Sequence, residues 1–326
     1  MTGGANMKLY LILTSITCLI LLLFPLGCVT IKNQYADSIK PPETSVYQNS
    51  EKESETVSVF IVSADKTVDM KVFDYLVGAV AAEMPASFQT EALKAQSVAC
   101  YSYMMWLKNN SDNAEYDITS DPQTHQGYLT DSEMKEKWGD KYEFYKDKIS
   151  NAVSAVQDQY LTYEGEAVLA LFHAISPGMT QDSEKVWNTP LPYIKSVSAP
   201  GDSLSPDFDS VVTVPCRKIR ETFEIKNDIK DSGLVDISPM SNSSFIKEIS
   251  VGNKKVSAGD ISAKFGLKSP YFTAEYKDGN YIFSVKGKGH GLGMSQYSAD
   301  YMARQGSSYD EILSHFYEGT KLVKDS

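Results

Sequence analysis

The apolar positions of this chain fall into three regimes: one long continuous run, a polar stretch without period, and a remainder of short strand-like and helix-like patterns. Leu9 to Val29 is apolar apart from a few hydroxyls, Pro25 and Gly27, and no charge interrupts the chain between Lys8 and Lys32. This is the length a helix needs to cross a bilayer, so residues 9–29 read as one transmembrane helix behind a short cytoplasmic N-terminus, 1–8. An ordinary cleavable signal has a shorter apolar region and a small-x-small site, which is not clear here. Leu26-Gly27-Cys28 faintly resembles a lipoprotein cleavage site, with Pro25 where an aliphatic residue belongs, so cleavage or lipidation stands as the alternative to an uncleaved anchor. Lys8 faces Lys32 and Lys40 across the run, and charge alone leaves its orientation open. Residues 30–56 are polar, contain Pro41-Pro42 and show no period, as expected of a flexible tether.

From residue 57 to 326 the pattern becomes that of a packed domain. Val57 to Val62 predicts a strand. Lys71 to Met84 predicts a helix, with Val72, Leu76, Ala79 and Glu83 on one face and Pro85 ending it. A second helix, Gln89 to Lys108, is apolar on nearly all sides between Val98 and Leu107, which places it in the core. Lys146 to Gln157 predicts a third helix. Short β-like runs follow at Tyr160–Tyr163 and Ala167–Ala174, with strands near Ile246–Val251 and Tyr281–Val285. Without a regular βαβ rhythm the mixture predicts an α+β fold of mixed helices and short strands.

Charge and cysteine usage remove several function classes. With 31 basic and 42 acidic residues the net charge is −11, the wrong sign for a protein that neutralises nucleic-acid phosphates. The 4 cysteines, Cys18, Cys28, Cys100 and Cys216, lie far apart with no CxxC pair, which excludes the common zinc ribbons and disulfide-dense scaffolds. Cys100 on the buried helix reads as a small core residue. No GxSxG, P-loop or HExxH pattern is present.

Three segments remain as carriers of chemistry. Glu83, in AAEMP, continues an apolar stripe, so its carboxyl sits at the edge of a poorly solvated region. Desolvation raises a carboxyl pKa, and a carboxylic acid protonated near neutral pH is what a general acid requires. The plain alternative is a glutamate at a helix end pointing to water. Lys286 to Tyr297 (KGKGHGLGMSQY) alternates glycines around His290; this is not the dinucleotide GxGxxG and opens no βαβ unit. Ser295 can cap a helix from Gln296 to Gln305, which displays His290 on a shaped loop near a helix N-terminus, although such loops also serve simply to let backbones approach. His173, in LFHAISPGMT, follows an apolar run and precedes small polar groups, a setting that equally suits a structural histidine. His125 lies among turn formers, and His315 in a terminal helical stretch.

At these residues the chain resembles the stage II sporulation protein D family of peptidoglycan lytic enzymes, related to the amidase-enhancer proteins. The likeness covers about residues 57–323 and rests on four segments: DYLVGAVAAEMPASFQTEALKAQSVA, FHAISPGMTQDSEKVWNTPLPYIKSVSAPGD, GKGHGLGMSQYSADYMARQG and SSYDEILSHFYEGTKL. The resemblance implies a membrane-anchored, extracytoplasmic lytic transglycosylase in the mother-cell membrane, facing the intermembrane space. It would act on peptidoglycan glycan strands during engulfment, with an amidase of the sporulation P family and a membrane protein of the M family as partners. A non-catalytic wall-binding protein that enhances an amidase is the other role found among relatives. The resemblance makes Glu83 the catalytic acid and gives groove-lining roles to Gln126, Tyr128, His173, Ser176, Thr180, His290, Ser295 and Gln296. Tyr101 is counted with these substrate-binding residues because it stands where the family commonly has an Arg (AQAVAARTY there, AQSVACYSY here), though this chain lacks that guanidinium. Some members hold zinc through a segment of the form CDTTHCQVY; Ser120 to Tyr128 here lacks both cysteines and retains only His125, which predicts no zinc and no other cofactor.

Overall fold

Alternation of Val57, Val59 and Ile61 against polar neighbours makes β1 (Thr56–Ile61) a strand with one buried face. In the computed structural model, which describes residues 55–111, 115–122, 124–187, 190–226, 228–237 and 248–325, β1 pairs antiparallel with the edge strand β2 (Lys66–Lys71). On its other side it pairs in parallel with the short β3 (Ile118–Thr119), reached through two helices. The first of these, α1 (Val72–Glu83), buries Tyr75, Leu76, Ala79 and Val80. It stops because Met84 precedes Pro85: the proline ring excludes helical backbone from the residue before it, and Met84 is extended. The second, α2 (Thr90–Asn110), is buried on nearly every side from Ala92 to Met104, as the sequence predicts for a core helix.

α3 (Asp131–Trp138) packs on α1 and on α4 (Tyr142–Ala155), and α4, with the sheet of β4 (Gln159–Tyr163) and β5 (Glu166–Ala167), packs around α2. The predicted third helix therefore begins four residues earlier than its apolar period suggests, and α3 precedes it with a capping box between Thr130 and Glu133. The β-like run at Ala167–Ala174 is not one strand: β5 ends at Ala167, and Phe172–His173 form a separate strand, β6. After a short helix, α5 (Ser183–Trp187), the chain leaves this core at β7 (Asp209–Pro215).

The segment that follows builds a second apolar core. Here α6 (Cys216–Phe223), β8 (Val235–Asp236), β9 (Glu248–Val251), β10 (Lys254–Ser257), α7 (Ala258–Phe265), β11 (Phe272–Lys277) and β12 (Asn280–Lys286) enclose Ile219, Phe223, Val251, Ile261, Phe272 and Phe283. β12 is central in the order β11-β12-β7. The Gly287 N–H donates to the Phe208 carbonyl at 2.7 Å, so the segment starts and finishes at one place.

The chain then rejoins the first core. β13 (Met294–Ser295) pairs in parallel with β6, α8 (Gln296–Arg304) and α9 (Tyr309–Phe316) pack on α2, and β14 (Lys321–Lys324) completes the sheet order β14-β4-β5. The mixed helical and short-stranded character predicted from the sequence is the observed one. The predicted membrane span, Leu9–Val29, lies outside the described residues, and among those described no helix is long and apolar enough to cross a membrane.

Candidate active site

Glu83 is the last residue of α1, half-buried, where the helix gives way to the Met84-Pro85 turn. Its Oε1 accepts a short hydrogen bond from the Gly127 N–H. Gly127 is held against α1 by its neighbours: Gln126 donates to the Tyr75 hydroxyl and, at 3.2 Å, to the Cys100 carbonyl, and the Leu129 N–H donates to the Gly78 carbonyl at 3.1 Å. Tyr128 lies flat over Tyr75, ring centroids 5.8 Å apart and planes 7° apart. A Cβ on Gly127 would lie 3.0 Å from Glu83 Oε1, so glycine is what lets the backbone amide reach the carboxyl.

Burial pushes the Glu83 carboxyl above its ordinary pKa, while the Gly127 hydrogen bond and the ammonium of Lys137 pull it down. Burial holds the surrounding groups neutral: the hydroxyls of Tyr75 and Tyr103 and the Cys100 thiol are all raised, Tyr103 to about 12, with Glu83 adding to each. An amide N–H must meet a lone pair, so Gly127 assigns Oε1 as acceptor and leaves Oε2 for the transferable proton.

A second group gathers the two glycine- and serine-rich motifs. His173 is 4% exposed; its Nδ1 donates to the Leu292 carbonyl at 3.0 Å, and its Nε2 has no hydrogen-bond partner among the described residues. His290 packs on it at 5.8 Å between ring centroids. Burial depresses both imidazoles, His173 to about 3 and His290 to about 4, so both are neutral at physiological pH. His290 differs from the displayed side chain the sequence suggests. Its Nδ1 accepts the Leu292 N–H at 3.1 Å and its ring donates to the Phe172 carbonyl, which makes it a half-buried part of the turn.

Ser176 and Ser295 are fully buried and converge on a third residue that sequence reasoning passes over, Asp202. Its carboxylate receives the Ser176 N–H at 2.6 Å and the Ser295 hydroxyl at 2.8 Å. Burial lifts its pKa to about 6 against these hydrogen bonds. Instead of lining a groove, the two serines clasp the SPG turn, the APGD turn and the start of α8 together. Thr180 is likewise fully buried, its hydroxyl donating to the Lys195 carbonyl at 3.0 Å and accepting the Val197 N–H at 2.9 Å. Gln296 donates to Gln96 at 3.1 Å, and Gln96 to the Cys100 sulfur at 3.3 Å. That polar chain runs between the His290 loop and the core beneath Glu83. Tyr101 belongs to neither group: it is 2% exposed, edges onto Tyr160 and donates to Glu55 at 3.1 Å, so it presents no surface to a substrate.

A shallow cleft of about 210 Å³ lies between the His290 loop and Ser269–Tyr271, lined also by Ile175 and Gln181; Glu83 does not line it. His125 Nδ1 accepts the Thr119 N–H at 3.1 Å, and the Ser120 hydroxyl accepts the Val62 N–H at 3.0 Å. Among the described residues no three His, Cys, Asp or Glu side chains gather as metal ligands.

Comparison with known proteins places this architecture in a class. A family model described as "Stage II sporulation protein" matches residues 62–163, from the end of β1 to the end of β4 and so including α1, Glu83 and the 120–128 loop. Stage II sporulation protein D of Bacillus subtilis (strain 168) is 31% identical over 97% of this chain and 96% of its own length. The protein of that name from Bacillus amyloliquefaciens is 33% identical over 82% and 78%. The amidase enhancer of Bacillus subtilis is 25% identical over 76% of this chain but 40% of its own. The chain belongs to the stage II sporulation protein D family.

Proposed function

We propose that this protein is a lytic transglycosylase that cleaves the MurNAc–GlcNAc linkage of peptidoglycan, preferring strands stripped of stem peptides, during engulfment in sporulation. The observation that carries this reading is the single carboxyl of Glu83, kept protonatable by burial and oriented by the Gly127 N–H. Besides burial, the groups that shift its titration are that amide and the Lys137 ammonium. A hydrolytic glycosidase needs a second carboxylate to activate water or attack the sugar. One residue suffices when the sugar supplies its own nucleophile. Glu83 gives its Oε2 proton to the glycosidic oxygen, and the C1–O bond breaks with GlcNAc leaving. The resulting carboxylate then takes the proton of the muramyl 6-hydroxyl as O6 bonds to C1. The product is 1,6-anhydro-MurNAc, no water is consumed, and Glu83 ends protonated; intramolecular attack brings the proximity advantage.

In this reading Leu9–Val29 anchors the catalytic domain on the outer face of the mother-cell membrane, and the amidase of the P family and the membrane protein of the M family supply stripped strands and docking. The test is mass spectrometry of muropeptides after digestion of amidase-treated wall. Glu83→Gln retains size but has no proton to transfer, so cleavage falls by about a hundredfold or more while glycan binding persists. Products ending in reducing MurNAc would instead require a hydrolase. The likeness to an amidase enhancer favours one other reading, a wall-binding protein that stimulates an amidase. It predicts no cleavage, and stimulation that Glu83→Gln leaves intact.

A further inference from the structure

The general-acid reading leaves one step without a partner. Once Glu83 has given up its proton, a carboxylate stands in a place where burial disfavours charge, and the groups around it are almost all uncharged. On its own helix Tyr75 is neutral. From α2 come the Cys100 thiol and the Tyr103 phenol, both neutral. From the preceding loop comes His125, whose Nδ1 is occupied by an amide and whose ring edges onto Tyr103 at 6.4 Å.

Lys137 is different. Although the residue as a whole is exposed, its ammonium reaches back from the end of α3 and donates to the Ala81 carbonyl at 2.9 Å, two residues before Glu83. It acts electrostatically on Glu83, and Glu83 on it. The placement is fixed from both sides: the Thr130–Glu133 capping box anchors α3 at its start, and the Ala81 hydrogen bond ties its last turn to α1.

We propose that Lys137 is a positioning residue of the Glu83 site, its ammonium moored on the Ala81 carbonyl as the counter-charge for the carboxylate formed between the two proton transfers. This rests on Glu83 being the general acid. A cation beside a desolvated carboxyl makes it a stronger acid in the first step, and its removal keeps the proton on Glu83 to higher pH.

The experiment pairs Lys137→Met with Lys137→Arg in the full-length protein and reads Glu83 in two ways. Carbon-detected NMR of the Glu83 carboxyl gives its titration midpoint without substrate: this midpoint moves up in Lys137→Met and stays near the wild-type value in Lys137→Arg. In strand cleavage, Lys137→Met lowers the maximal rate by about threefold to tenfold, well short of the loss of Glu83 itself, and moves the alkaline limb of kcat/KM to higher pH. An unmoved midpoint in a folded Lys137→Met protein overturns the proposal, as does a loss of rate with an unchanged pH profile, which marks Lys137 as a helix tie only. Wild-type-like cleavage by Glu83→Gln overturns the parent reading and is a separate result, because the NMR midpoint does not depend on activity.

Discussion

Gly127 shows how narrowly the carboxyl is set. An added Cβ would lie 3.0 Å from Glu83 Oε1 and 3.2 Å from the Ala82 methyl, and the one neighbour free to give way is the glutamate itself. Gly127→Ala therefore moves the carboxyl and loses its N–H donor. A hydrogen bond to an ionisable group is worth about 1.5–3 kcal/mol, so cleavage falls by roughly tenfold or more. The melting temperature stays near the wild-type value, because little packed apolar surface is lost; kcat and thermal unfolding measured on one sample separate the two. Glu83 itself is legible in the sequence because it prolongs an apolar stripe and precedes a proline. Gly127, Lys137 and Asp202 are not, since each acts through a contact across 44, 56 and 93 positions that no local pattern encodes. The same cause misassigns the serines: a hydroxyl in a turn-rich motif looks available until the buried carboxylate that claims it is seen.

Among the elements, α1 depends on a residue that looks like its weak point. Glycine inside a helix ordinarily costs about 1 kcal/mol relative to alanine, yet a Cβ on Gly78 would come 2.2 Å from the Tyr128 ring and 2.7 Å from the Leu129 carbonyl. Gly78→Ala is thus expected to destabilise by about 1–3 kcal/mol, against propensity, through overpacking of the 126–130 loop. Denaturant unfolding followed by circular dichroism decides the sign. The glycine loop obeys a stricter version of this rule at Gly293, whose φ is +68° and whose absent Cβ would sit 1.9 Å from the Leu171 carbonyl. Helices with a long apolar stretch, α1 and α2, and α8 with its Ser295 cap, are placed by sequence to within a residue or two. α3 carries its capping box in plain view but only Met134 as a buried residue, so hydrophobic period alone passes over it. The strands of two residues, β3, β5, β6, β8 and β13, have no period to read.

For the molecule as a whole, the buried Asp202 couples stability to pH. Its carboxyl titrates near 6 in the fold against 3.8 unfolded, so between those values the folded state binds the extra proton. The stability this brings is fully present below about pH 4 and is lost as pH rises through 6. Asp202→Asn removes the dependence and leaves one amide oxygen where two carboxylate oxygens accept the Ser176 and Ser295 bonds. The destabilisation caused by Asp202→Asn therefore grows by roughly 2.4 kcal/mol between pH 7 and pH 4, and urea unfolding of both proteins at the two values measures it. A gap that is constant with pH would show Asp202 to be ordinary in its titration. His173 and His290 act in the opposite sense, lowering stability as pH falls from 6.5 toward 4, but they are common to both proteins and cancel. The α+β class was legible from the mixture of periods; the second core was not, because its strands are separated by turns whose pairing only the tertiary structure reveals.

The pairing of β6 with β13 has a consequence in time. His173 meets Leu292 across 119 positions, Ser295 meets Asp202 across 93, and Gln96 meets Gln296 across 200. Contacts so distant in sequence form late, after the loops they close have been shortened by local structure. The segment from Asp209 to Lys286, whose ends meet at Phe208 and Gly287, provides that shortening: once folded on its own core it reduces a long flexible loop to a single step. The loop that carries His290 is then the last part to be assembled. A chain synthesised N-terminus first has Glu83 seated in α1 well before the residues after Gly287 arrive to complete the fold around it.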